Sequence, residues 1–236
     1  MKTTTRVAII GGGVVGASVL YHLTKLGWSD VILLERAELT SGSTWHAAGG
    51  FHTLNGDTNM AALQGYTIRL YRELERITGL SCGLHHVGGI TLADTPERLD
   101  MLKAERAKHR YMGLETEILT PEQVRVVAPI TNTDGVLGAL YDPLDGHLDP
   151  SGTTHAYAKA ARMGGAEIRL HTSVLETNPR PDGWEVVTQA GTLSCTHLVN
   201  AAGLWAREVG AMAGVHLPLH PMEHQYLVTE DIPEIH

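Results

Sequence analysis

The chain has 236 residues, 43% of them hydrophobic, and a formal net charge of −8 with histidine neutral. That length and apolar share suit a folded core of one large or two small domains, while the acidic balance and the lack of a basic stripe exclude a nucleic-acid footprint or an anionic-lipid surface. No apolar run approaches the ~18 residues that span a bilayer, so no membrane role is expected, and the expected partners are small molecules.

The first apolar run, Val7-Ala8-Ile9-Ile10, predicts a buried parallel strand, and it feeds directly into Gly11, Gly13 and Gly16 in the G-x-G-x-x-G spacing. Gly11 permits the tight turn, Gly13 lets the backbone approach a pyrophosphate, and Gly16 lets the following helix pack closely on the strand. A helix starting near Val14 aims its N-terminal N–H groups and positive dipole end at that phosphate. Val15, Val19, Leu20, Leu23 and Leu26 give its apolar face, and Gly27 stops it. Val31 to Leu34 forms the second strand and ends in Glu35, about twenty residues beyond the glycines, where a carboxylate accepts hydrogen bonds from an adenosine ribose and disfavours a 2′-phosphate. Strand, turn, helix, strand and acid arrive in the order that a dinucleotide site requires.

Further along, Ala61 to Ile77 reads as an amphipathic helix with Leu63, Tyr66, Leu70, Leu74 and Ile77 on one face. A strand over Gly88–Ala93, a helix from Thr95-Pro96-Glu97 to about Met112, and a short capped helix opened by Thr120-Pro121-Glu122-Gln123 and stopped by Pro129 follow. Gly135–Tyr141 is strand-like, Ser151–Met163 helical, and Glu167–Leu170 and Trp184–Thr188 are strands. His197 to Gly203 is a strand running into small residues that let backbone lie against a cofactor, with a helix from about Trp205. The N-terminus before the first strand is too short for a leader, and Cys82 and Cys195, far apart and flanked by apolar residues, read as reduced, partly buried thiols; together these features favour a reducing cytoplasm.

Four segments carry a resemblance that covers essentially the whole chain. They are the glycine turn with Glu35-Arg36, Thr40-Ser41-Gly42-Ser43-Thr44-Trp45-His46-Ala47-Ala48-Gly49, the stretch from Tyr141 to Pro150, and Val199-Asn200-Ala201-Ala202-Gly203-Leu204-Trp205-Ala206. Together they resemble the dimethylglycine and sarcosine dehydrogenase family of flavoproteins. The resemblance implies an α/β fold: a Rossmann-like FAD-binding domain of the glutathione-reductase and D-amino-acid-oxidase type, with an inserted, incomplete α+β substrate domain. Residues 1–80 and 141–213 then supply the FAD domain, and 81–140 with 214–236 supply part of the substrate domain.

In that family the histidine of the matching segment is joined covalently to the 8-methyl group of FAD, which implies the same for His46. The resemblance also implies that Val14 and Val15 meet the phosphates, Glu35 holds the ribose, and Arg36 lies beside the adenine. Gly42, Ser43, Thr44, Ala47 and Gly49 belong to the segment wrapping the ribityl and isoalloxazine region. Val174, at the end of a His171–Val174 strand, matches an adenine contact, and Trp205 follows the turn at the flavin; by residue type alone they fit equally a β-core valine and a packed helix-start aromatic. The implied activity is oxidative N-demethylation of a small methylated amino acid, with electrons passing to an electron-transfer flavoprotein. An oxygen-using oxidase and a non-catalytic regulatory subunit on the same fold are the alternatives. Family members continue past His236 and usually add a tetrahydrofolate-binding region, so open sheet edges awaiting further chain or a partner are expected here, and the family's catalytic residues are expected mostly beyond this stretch.

No metal site is expected. The His85-His86 doublet diverges on a strand, Pro218 and Pro221 break the helical spacing of His216, His220 and His224, and Asp142, Asp145 and Asp149 lack a calcium-hand pattern and read as turn formers.

Overall fold

The computed structural model describes residues 3–53 and 57–233. In chain order the elements are β1 (Thr4–Ile10), α1 (Val14–Lys25), β2 (Val31–Leu34), β3 (Gly50–Phe51), α2 (Thr58–Thr78), β4 (Gly89–Ala93), α3 (Pro96–Tyr111), β5 (Glu117–Leu119) and α4 (Pro121–Val127). They continue as β6 (Gly138–Asp142), β7 (Gly146–His147), α5 (Pro150–Met163), β8 (Glu167–Arg169), β9 (Val174–Arg180), β10 (Gly183–Thr188), β11 (Gly191–Asn200) and α6 (Ala206–Met212). Single 3₁₀ turns stand at Thr44–His46 and Gly203–Trp205. The chain divides into two units, one of Met1–Gly49, Tyr71–Gly83 and Asp149–Met222, the other of Gly50–Leu70, Leu84–Leu148 and Glu223–His236.

The first unit is built on a six-stranded sheet in the order β8-β2-β1-β11-β10-β9. β8, β2, β1 and β11 run parallel, and β10 and β9 extend the sheet as an antiparallel meander. The central strands are aliphatic because both faces are covered: Ile9, Ile32 and Leu33 have no exposed surface. Ala8, Ile32, Leu34, Val186, Leu193 and Cys195 make one continuous core. α1 packs on α5, whose Ala156, Ala160 and Ala161 let the helices approach closely, and Tyr21 meets Tyr157 at 5.6 Å between ring centroids.

The second unit holds an antiparallel sheet ordered β4-β6-β5 and the small β3-β7 pair. Leu102 of α3 closes a cluster with Ala93 and Leu140, and Val124 of α4 closes another with Leu119 and Ala139. Threonines start both helices: Thr95 accepts from the Arg98 N–H at 3.2 Å, and Thr120 forms a reciprocal capping box with Gln123.

Several sequence-based bounds change. Tyr141 and Asp142 fall in β6, whose partners are β4 and β5, so residues 141–148 cluster with the second unit and not with the parallel sheet. Residues 50–70 also cluster there, because β3 pairs with β7. Of the tail assigned to the substrate domain, residues 214–222 cluster with the first unit, and residues 234–236 lie outside the described residues. Val174 opens a strand instead of ending one; β9 escapes pattern reading because Glu176, Asn178 and Pro179 interrupt any apolar alternation. The pairing of β9 across β10 supplies the order that its own composition does not.

Candidate functional site

The first turn of the first unit is held by backbone groups. The Gly11 N–H donates to Leu34 O at 2.9 Å and the Ala201 N–H donates to Ile10 O at 2.9 Å, tying the turn to β2 and to the end of β11. Gly11 has φ +115°, in the left-handed range, and a Cβ there would fall on the Ala201 carbonyl; a Cβ on Gly16 would fall on the Gly11 carbonyl. These two glycines are what bring α1, the turn and the small-residue end of β11 into contact.

Around this turn lies a cleft of about 660 Å³, within the range of small-molecule and cofactor sites. Of the residues implied by sequence, Gly11, Gly13, Val14, Val15, Glu35, Arg36, Gly42, Ser43, Thr44, Ala47, Val174 and Trp205 all line it. Gly16 lies behind the turn, and His46 and Gly49 are not part of the lining. His46 is exposed in its 3₁₀ turn, its imidazole against Trp45 at 3.7 Å between centroids. Asn200, Ala201 and Ala202 line the cleft at the end of β11, while Thr172, Met212 and Leu219 extend it with residues that no motif singled out.

Glu35 is 9% exposed, and both of its carboxylate oxygens are engaged: Gly12 N–H donates to Oε2 at 2.6 Å and Ala37 N–H to Oε1 at 2.8 Å. A carboxylate offers about four lone-pair sites, so two remain for hydroxyl donors. Glu35 therefore braces the glycine turn, a role its position in the sequence did not announce. Arg36 stacks its guanidinium 3.7 Å from the centroid of Trp205, which brings into one contact two residues that the resemblance implied for different parts of the cofactor.

The second unit contains a polar cluster that sequence reading reduced to turn residues. Asp142 and Asp145 are 1% and 3% exposed, so their role goes beyond shaping a turn. Thr53 Oγ1 donates to Asp142 Oδ2, the Thr53 N–H donates to Asp145 Oδ1 at 2.9 Å, and His52 Nδ1 lies 3.0 Å from Asp145 Oδ2. Burial pushes the Asp145 carboxyl above the ordinary aspartate value and the neighbouring Asp142 adds to the shift, while the His52 and Thr53 hydrogen bonds oppose it. No signal in the sequence could have shown this clamp, since its partners are 89 to 93 positions apart. Asp149, by contrast, caps α5 through the Ser151 N–H at 2.8 Å.

His85 and His147 form a β-bridge and stack at 5.0 Å, and His86 Nδ1 lies 3.0 Å from Leu144 O. Among the described residues no group of three or more His, Cys, Asp or Glu is placed to hold a metal ion, and no helix is long and apolar enough to cross a membrane. Both cysteines are free and buried. Burial pushes the Cys82 thiol up to about 11, with Glu75 and Asp149 adding and a Thr153 hydrogen bond opposing, and burial also raises Cys195.

A parallel sheet whose first crossover carries a glycine turn, with an acid at the end of the second strand and a cleft over the helix N-terminus, defines a dinucleotide-binding α/β protein. Residues 6–236 match the family described as FAD dependent oxidoreductase, and the chain belongs to it. It is 45% identical to the mitochondrial dimethylglycine dehydrogenase of Rattus norvegicus over 99% of this chain and 27% of that protein. It is 40% identical to the mitochondrial sarcosine dehydrogenase of Homo sapiens, over 100% of this chain and 26% of that protein. Among solved structures, L-proline dehydrogenase from P. horikoshii superposes with a TM-score of 0.84 at 26% identity, covering 91% of this chain and 57% of the other. The chain thus spans about a quarter of the length of these two dehydrogenases.

The residues present fit FAD: a cradle that side chains would fill, a floor of small residues, and a carboxylate with acceptor capacity to spare. The cytoplasmic expectation is overturned, because the dehydrogenases that this chain resembles are mitochondrial by name. Free thiols separate oxidising from reducing compartments and do not distinguish one reducing compartment from another.

Proposed function

We propose that the protein to which this chain belongs N-demethylates a small methylated amino acid of the dimethylglycine or sarcosine type, with FAD joined covalently to His46. The observation that carries this reading is the attachment of the Ser43–His46 turn to the glycine turn, through the Val14 N–H on Thr44 Oγ1 at 3.1 Å and the Thr40 N–H on Gly12 O at 3.0 Å. That attachment fixes the chain two residues before His46 at the cleft itself. Bound FAD supplies the hydride acceptor. The chain's own work is binding and orientation: Glu35 accepts from ribose hydroxyls, the N-terminus of α1 receives the phosphates, and the backbone at 200–203 lies along the cofactor. The electron acceptor in this reading is an electron-transfer flavoprotein, and no residue of this chain is assigned to tetrahydrofolate.

The test is flavin fluorescence of the denatured, electrophoresed chain, with wild type beside His46→Ala. A fluorescent band present only in wild type supports the histidyl link, and a dark band in both, repeated on the protein extended past His236, sinks it. Anaerobic bleaching of the flavin absorbance by dimethylglycine or sarcosine supports the dehydrogenation. Retained flavin that neither amine bleaches favours a regulatory subunit, and oxygen uptake in place of reduction of an electron-transfer flavoprotein favours an oxidase.

A further inference from the structure

The Thr44–His46 turn is fixed by hydrogen bonds at and around Thr44. The Val14 N–H donates to Thr44 Oγ1 at 3.1 Å, the Trp45 N–H to Thr40 O at 3.4 Å, and the Ala47 N–H to Thr44 O at 3.2 Å. The imidazole that the turn carries is held differently. Among the described residues no hydrogen bond or ion pair joins the His46 ring, and its ring contact is with Trp45, at 3.7 Å between centroids and 34° between planes. A 3₁₀ helix has about three residues per turn, so neighbouring side chains leave it about 120° apart and ordinarily diverge. Trp45 and His46 instead converge. The indole is 55% exposed and neither residue belongs to the cleft lining, so burial does not account for where the indole sits; the imidazole is its partner.

Such a stack has two physical effects on a histidine that is to form a bond. An exposed imidazole samples several rotamers, and a ring already held in one of them loses less freedom when it reacts. The face of an indole also attracts positive charge. A neutral imidazole nitrogen that attacks carbon gives up its lone pair, so positive charge develops on the very ring that lies against Trp45. Both effects favour attack by His46, and neither adds a contact to the cofactor.

We propose that Trp45 is the positioning residue for attachment of the flavin: its indole holds the His46 imidazole in one orientation and stabilises the charge that the ring acquires as the link forms. The inference rests on the histidyl-FAD reading. In that step an imidazole nitrogen bonds to the 8-methyl carbon of the flavin, one C–H and one N–H bond break, and the two protons pass to solvent. The electron pair stays on the flavin until dioxygen takes it, with two protons, to give hydrogen peroxide. Trp45 exchanges no bond and acts only through the ring of His46.

The experiment uses the protein extended past His236, prepared flavin-free from riboflavin-starved cells, as wild type, Trp45→Leu, Trp45→Gln and Trp45→Phe. Each is mixed in air with FAD over a range of concentrations, and covalent flavin is followed in time as fluorescence of the denatured, electrophoresed chain. The rate at saturating FAD reports the attack, and the FAD concentration giving half that rate reports binding. Trp45→Leu and Trp45→Gln should attach flavin about 5–30-fold more slowly at saturation, the combined worth of one exposed cation–π contact and one freed side chain, with the half-saturating concentration little changed. Trp45→Phe keeps an aromatic face and should recover most of the lost rate. Saturating rates equal to wild type in Trp45→Leu and Trp45→Gln overturn the proposal while leaving the histidyl link standing. A defect confined to the half-saturating concentration, one that Trp45→Phe does not recover, or failure of both Trp45→Leu and Trp45→Gln to fold makes the indole a structural contact and overturns it as well. Wild type that binds FAD and never attaches it overturns the histidyl reading itself, and the proposal with it.

Discussion

The two units solve the problem of fixing a loop by opposite means. In the first, backbone hydrogen bonds and the absence of side chains shape the cleft: Gly11, Gly16 and the alanines after β11 matter for what they lack. In the second, the loop at His52–Thr53 is fixed by two buried carboxylates, Asp142 and Asp145, that accept from both residues. A backbone cradle demands glycine at fixed spacing and is therefore written into the local sequence, whereas a carboxylate clamp leaves no local trace. A backbone cradle is also suited to the phosphates of an anionic cofactor, which fixed N–H dipoles can meet.

The sharpest way to break the contrast is to put a side chain into the cradle. Gly16→Ala drives a methyl into the Gly11 carbonyl and should cost about 3 kcal/mol or more, with loss of retained flavin, read by thermal melting and absorbance. Leu33→Ala hollows the fully buried sheet beneath the turn and should cost roughly 2–5 kcal/mol in the same melt, yet leave the residual folded chain able to bind FAD.

The clamp should respond less, and with pH. Asp145→Ala strands the Thr53 N–H and should cost about 1–3 kcal/mol. The Asp145 carboxyl sits above its ordinary 3.8, so the folded state binds its proton more tightly than the unfolded chain does. Its contribution is full below that ordinary value and is lost as pH rises through the raised one. Melts of wild type as pH is raised from that ordinary value should show that decline, and Asp145→Asn should flatten it.

Smaller still is the rim of the cleft. Arg36→Ala unstacks Trp205 and should cost about 0.5–1 kcal/mol, visible as altered indole fluorescence and a modest loss of FAD affinity. Cys82 should show no effect at all. With its thiol pushed up to about 11, it should resist a thiol-specific disulfide reagent at neutral pH until the chain unfolds, and rapid reaction of the native chain would contradict the buried setting.

Legibility followed the range of the interactions. β1, α1 and β2 were readable because aliphatic runs, glycine spacing and a terminal acid are local consequences of a buried βαβ unit. The capped helices α3 and α4 were readable because Thr95, Thr120 and Gln123 act within three residues of the helix start. β9 was not, since its strand character comes from β10 beside it, and neither was the membership of Tyr141 and Asp142 at the end of β6, which pairs with β4 and β5.

The sequence by itself determined that the chain has a dinucleotide turn and that an acid, Glu35, follows the second strand. These depend on residue type at fixed short spacing, which the backbone geometry of one turn imposes. Only the tertiary structure decided that Glu35 also braces Gly12, that Arg36 lies on Trp205, that Thr44 caps a helix thirty residues away, and that His52 rests on Asp145. Each of these is a contact between distant segments, and a chain of 236 residues offers every polar group many such partners until the sheets bring one of them within hydrogen-bonding distance.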